Sequence, residues 1–216
     1  MAVEPQAVPA APAAVEDVAR RYRIAQGRGR PKGWWGIIVL LLNESVLFSL
    51  LLFVYFSLST RTLTWPPQGI QPPELVISGA RSILLWLSSA TLIWGERGLR
   101  RGKQGRLQLG LIATIILSGI FLAGHVEEMI RLPEEFTWAT NAYGSAFYAI
   151  TNFHAAHLTV GIALLAFALL AARRGRYTPN RHLGLSTIGI YWHFVDVVWA
   201  FVFPSLYLYP HLTSLR

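Results

Sequence analysis

The stretch from Phe136 to Ala172, FTWATNAYGSAFYAITNFHAAHLTVGIALLAFALLAA, decides the fold: 37 consecutive residues without one Asp, Glu, Lys or Arg. Soluble domains carry about 25% charged residues, so a run of this length without a charge is foreign to them. A bilayer core takes about 20 mostly apolar residues to cross as a helix. Lipid offers no hydrogen bonds to the backbone, so the run reads as a spanning helix whose N–H and C=O groups pair along its own axis.

Four more gaps between charges flank it. Gly33–Thr60 holds 28 residues with Glu44 as its single charge, and Leu75–Gly95 holds 21 with Arg81. Leu107–Val126 holds 20 with none, and His182–Leu215 holds 34 with Asp196. Each has room for one spanning helix. The fold class is therefore all-α, an integral membrane bundle of five transmembrane helices near residues 35–58, 75–95, 107–128, 144–172 and 186–208, within one domain over residues 33–216. Composition agrees: of 216 residues, 53% are hydrophobic and 14% charged, too few charges to cover a soluble fold. There is no cysteine, which excludes a disulfide framework, a zinc ribbon and thiol catalysis. Residues 1–32 hold Pro5, Pro9 and Pro12 and end in six Lys/Arg between Arg20 and Lys32, and they read as a flexible basic cytoplasmic tail. They are not a secretory signal, because the apolar stretch that follows is too long for an h-region and has no small-residue cleavage site.

With five spans, the basic residues fall into two unequal groups. The tail, Glu96–Arg106 and Arg173–Arg181 together carry fifteen Lys/Arg on one side, against Arg61, Arg131 and Arg216 on the other. The positive-inside rule puts the N-terminus inside and the C-terminus outside. The same asymmetry accounts for the net charge of +8 through topology and anionic lipid, and no nucleic-acid partner is expected. The expected location is the cell membrane, as a multi-pass protein.

Ionisable groups at membrane depth are costly and mark the interior of a bundle. At about 1.5 Å per residue, Glu44 lies near the middle of the first span, His154 and His157 near the middle of the fourth, and His193 and Asp196 near the middle of the fifth. Residues three apart share a helical face, so His154/His157 and His193/Asp196 form an intramembrane polar layer of two pairs. Glu44 is expected to face this layer and not bulk lipid. An outer layer joins Arg81, early in the second span, to His125 and Glu128 at the end of the third. Three readings of the central layer are open: interhelical hydrogen bonding that sets the packing, a lipid-headgroup or proton-linked carboxyl site, and a metal site built from H-x-x-H, H-x-x-D and Glu44. Against the last, the paired E-x-x-H segments of di-iron bundles are missing.

Tyr143-Gly144-Ser145-Ala146-Phe147, Thr151-Asn152-Phe153-His154-Ala155-Ala156-His157 and Gly161 resemble the Y-G-S-x-F…T-G-F-H-G-x-H-x-x-x-G run of subunit III of the haem–copper respiratory oxidases. Tyr191-Trp192-His193-Phe194-Val195-Asp196-Val197-Val198-Trp199 resembles the same family's Y-W-H-F-V-D-V-V-W without a break. Asn43-Glu44-Ser45 is similar to its S-E-x-M-F-F segment, and Trp65-Pro66-Pro67 and Glu128 also fit. The departures are Asn152 and Ala155 in place of glycine, His125 in place of glutamine, and five spans in place of seven. The resemblance implies a non-redox subunit of a proton-pumping terminal oxidase that passes electrons from cytochrome c or quinol to O2. It implies direct contact with subunit I, a place beside subunit II, haem and copper in the partner subunits and not in this chain, bound phospholipid, and support of proton uptake. No catalytic residue and no metal ligand are expected here. Under the resemblance Glu44 is the family's buried functional carboxyl, and Arg173, at the inner end of the fourth span, is a lipid-headgroup partner. A subunit III-like protein of a nitric oxide reductase system and a stand-alone metal-dependent membrane oxidase are the alternatives.

Overall fold

The computed structural model describes residues 32–62, 64–67, 69–71, 73–134 and 136–214. The basic tail lies outside the described residues, apart from Lys32. Five long helices follow one another: α1 (Lys32–Ser59), α2 (Leu75–Arg100), α3 (Gln104–Arg131), α4 (Ala142–Arg173) and α5 (Leu183–Phe203). A 3-10 turn at Leu132–Glu134 extends α3, and a π-helical turn at Pro204–Leu208 leads from α5 into a short α6 (Tyr209–Ser214). Among the described residues there is no β-strand, and all five long helices are apolar and long enough to cross a membrane. The chain is a multi-pass, all-α membrane protein.

The helices run past the charge boundaries that the sequence suggests. α2 continues through Glu96 and Arg97 to Arg100, so the second connection is only Arg101–Lys103. Charged side chains at a membrane surface do not end a helix, because long stems carry the charge to water while the backbone stays paired. What ends α2 is Gly102, at φ 73°. Its N–H bonds Leu99 O (2.8 Å) and that of Lys103 bonds Gly98 O (3.0 Å), a Schellman cap whose left-handed residue favours glycine. Gly175 closes α4 in the same way. At the other end of α4, Asn141 Oδ1 accepts from Gly144 N at 2.9 Å and satisfies an orphan N–H. Pro204 lacks an N–H, and the helix widens there into the π turn that places Tyr207 in the core.

Packing follows small residues. Helices in lipid gain little from hydrophobicity, so close contact and interhelical hydrogen bonds hold them. α2 and α3 touch at Gly95 and Gly110, where a Cβ on Gly110 would lie 2.8 Å from Gly95 Cα. Beside that contact, Thr91 Oγ1 and Thr114 Oγ1 share a hydrogen bond of 2.8 Å, and Thr114 also donates to Ser88 O. α5 lies across α2 through two tryptophans: Trp192 Nε1 donates to Ser88 Oγ (3.3 Å) and Trp199 Nε1 to Ser82 Oγ (2.9 Å). Gly161 of α4 makes room for the Trp192 ring. α1 stands at the edge and packs on α4 and α5.

Candidate functional site

The mid-membrane polar residues do not form one layer. They separate into three local arrangements, each set by a different helix pair.

The first joins α1 to α4. His157 Nδ1 lies 2.7 Å from Phe153 O, and a carbonyl can only accept, so Nδ1 carries a hydrogen. Nε2 then faces Glu44 Oε2 at 2.9 Å. One proton occupies that gap, on the imidazolium donating to a carboxylate or on the carboxylic acid donating to a neutral ring. Phe48 sits edge-on against the imidazole, and Tyr191 O–H donates to His157 O. The Glu44 and His157 side chains are 17% and 16% exposed, so the pair is partly covered but not sealed inside the bundle.

The second is His154, one turn away and entirely different. It is buried, its Nε2–H donates to Val195 O at 3.3 Å, and its ring lies 4.6 Å from that of Trp199. Of the residues that Glu44 is expected to face, it meets His157 and neither His154 nor His193. Two histidines three residues apart share a broad face, but α1 meets one edge of that face and α5 the other.

The third is on the α2 side of α5. His193 Nδ1 shares a hydrogen bond of 3.1 Å with Ser89 Oγ, and the Ser89 side chain also neighbours the Asp196 carboxyl. Asp196 is buried and its Oδ1 has no hydrogen-bond partner. Ser82, Ser88 and Ser89 are hydroxyl partners that sequence reasoning missed. The signal was present, since Ser78, Ser82, Leu85, Ser88 and Leu92 recur at three- and four-residue spacing on one face. Glu96 was also missed: it reads as part of a connection, yet its Oε1 is buried without a partner against Gly189.

At the end of the bundle where α2 begins and α3 ends, Arg81, His125 and Glu128 line one small space. Arg81 donates to Gly124 O (2.8 Å) and Glu127 (3.0 Å), and it lies 3.9 Å from Glu128. A Cβ on Gly124 would sit 2.4 Å from the Arg81 side chain, so a larger residue there would displace the guanidinium from its present contacts. Arg173, at the last turn of α4, is exposed and makes no ion pair among the described residues.

Among the described residues, no group of three or more His, Cys, Asp or Glu is placed to hold a metal ion. The fold and its intramembrane groups thus define a class: a polytopic helical bundle in which His154, His157 and His193 each reach a partner on a neighbouring helix. The family model for cytochrome c oxidase subunit III matches residues 29–211, and the chain belongs to that family. It is 35% identical to a cytochrome c oxidase subunit 3 from Synechocystis over 81% of this chain and 74% of that one. It is 32% identical to the one from Thermostichus vulcanus, over 80% and 85%, and 32% identical to the one from Drosophila yakuba, over 80% and 68%.

Proposed function

We propose that this chain is the non-redox accessory subunit III of a proton-pumping terminal oxidase, with electrons passing from cytochrome c or quinol to O2 through haem and copper in the partner subunits. Its N-terminus lies inside and its C-terminus outside. It packs directly on subunit I, retains phospholipid, and supports proton uptake. The observation that carries this reading is the Glu44–His157 pair. A carboxyl and an imidazole 2.9 Å apart share one proton near the middle of the membrane while each is part-exposed on the flank of the bundle. Such a pair fixes α1 to α4 and carries no net charge, on whichever partner the proton sits. It also presents a hydrogen-bonding group to whatever covers that flank, whether a lipid or a subunit I helix. Arg173, exposed at the basic end, serves lipid phosphate.

The test is the assembled complex carrying Glu44→Gln. Haem and copper spectra and the initial rate should match the wild type, and activity should decay faster during turnover as lipid or subunit I contact is lost. Loss of a haem or copper signal in the fully assembled variant would place this chain in the redox chemistry and overturn the reading. For the orientation, a cysteine at Gly102 should be labelled only from inside and one at Pro133 only from outside. Labelling of both from one side would end it.

A further inference from the structure

A cavity of about 300 Å³ opens between the start of α2 and the end of α3, lined among others by Glu74, Ser78, Arg81, Glu127, Glu128 and Arg131. That is the lower range of small-molecule pockets. A second, small chamber of about 10 Å³ shares Ser78, Arg81 and Glu128 with the cavity's lining and reaches His125, Trp199 and Tyr207. A space of roughly that size admits one water.

The charges in this cavity do not balance pair by pair. Both guanidinium groups are committed to Glu127, and Arg81 also donates to Gly124 O. Glu128 has Arg81 only at 3.9 Å and is hydrogen-bonded by the Tyr207 side chain. Glu74 makes no ion pair among the described residues, and it is close enough to act electrostatically on Glu128. Two carboxyl groups thus share one cavity without a full cation between them. The second, independent observation is His125. It is 5% exposed, its Nε2 has no hydrogen-bond partner, and it lines the small chamber. A buried polar atom left unpaired costs about 1–3 kcal/mol, so a molecule in the chamber would relieve it.

We infer that this cavity binds a primary ammonium group, carried by an aminophospholipid headgroup or by a free alkylamine. An ammonium brings one positive charge and three donors, which meet Glu74, Glu128 and the Ser78 hydroxyl, while one water in the chamber connects it to His125. A divalent metal fits less well. Two guanidinium groups flank the space, and no set of three ligating side chains converges there among the described residues. An anion finds both guanidinium groups already engaged. A quaternary ammonium has the charge and none of the donors. The inference uses only residues at this end, so it stands or falls separately from the assembly proposed for the chain.

The full chain is placed in phosphatidylcholine nanodiscs and titrated with ethylamine and, separately, with tetramethylammonium, each followed by saturation-transfer NMR. Ethylamine is expected to bind about tenfold more tightly, the difference that one or two charge-assisted hydrogen bonds supply. The preference should disappear in Glu74→Gln/Glu128→Gln and persist in Leu42→Ala. Glu74 is exposed and its replacement leaves packing intact, so Glu74→Gln alone should lower the preference even if the double variant fails to fold. In discs containing phosphatidylethanolamine, loss of ethylamine binding identifies the lipid headgroup as occupant, and unchanged binding identifies a soluble amine. Equal binding of the two cations by the wild type, or a preference that survives in the glutamine variants, overturns the inference.

Discussion

α1 and α5 are opposites. α1 is the most apolar of the five spans and the least buried, with 6% of its apolar stretch inside the protein. The α5 span is the least apolar and the most buried, at 50%. In water the relation would run the other way. In lipid, an apolar side chain gains little by turning inward, while tryptophans, histidines and carboxyls need partners that only other helices supply. α5 holds Trp192, His193, Asp196 and Trp199 within two turns, and the facing α2 meets them with Ser82, Ser88 and Ser89. α1 brings Glu44, and a single hydrogen-bonded contact at its middle, to His157, is its main polar tie to the bundle.

The largest effect should come from cutting into α5. Trp199 is buried, donates to Ser82 Oγ, and lies against His154, Phe121 and Tyr207. Trp199→Ala should cost about 3–5 kcal/mol, the range for removing a large buried aromatic. Chemical unfolding in mixed micelles measures it. A loss below about 1 kcal/mol would mean that α5 is not the centre of the bundle. Next is Gly161, whose added Cβ would sit 2.9 Å from the Trp192 ring. Gly161→Val should cost about 1–3 kcal/mol by overpacking, and Gly161→Ala less. Equal stability of all three proteins would show that α4 and α5 can separate without strain.

These contrasts explain what the sequence disclosed. The five spans are legible because charge is excluded from hydrocarbon whatever the fold, and the gap from Phe136 to Ala172 needs no partner to be read. The polar positions at His193 and Arg81 stand out for the same reason, since their cost demands a partner, but that argument does not single out Glu127 as the partner of Arg81. The choice of partner was not legible. His154 and His157 are equally polar and three residues apart, and only the lateral positions of α1 and α5 assign Glu44 to one and Val195 O to the other. The end of α2 is not legible, because Glu96 has the look of a surface charge while the cap at Gly102 lies beyond it.

A third, smaller effect concerns the tie on α1. A double-mutant cycle of Glu44→Gln and His157→Gln isolates the pair from the packing of either residue. Polar pairs in membrane bundles average about 0.6 kcal/mol and reach about 1.7, and a shared-proton pair belongs near the upper figure. A coupling of zero would mean that α1 is held by apolar contact alone, and the contrast with α5 would become complete.

The smallest effect should be at the outward surface of α1, and it carries the sharpest test of the comparison. Leu42 is 63% exposed and Leu85 of α2 fully buried. In water both would be called hydrophobic residues and both substitutions would be costly in proportion to the area they bury. In a bilayer, lipid tails replace what Leu42→Ala removes, so the isolated chain should lose less than about 0.5 kcal/mol. Leu85→Ala leaves a cavity that lipid cannot reach, and should cost about 2 kcal/mol or more. The two variants differ by the same three carbons, so the ratio of their effects measures how far burial, and not composition, sets stability. If Leu42→Ala proves silent in the isolated chain but weakens the assembled complex, the outward face of α1 is covered by a neighbouring subunit. If it proves as costly as Leu85→Ala in the isolated chain, α1 is embedded in the bundle, and the edge position that distinguishes it from α5 is wrong.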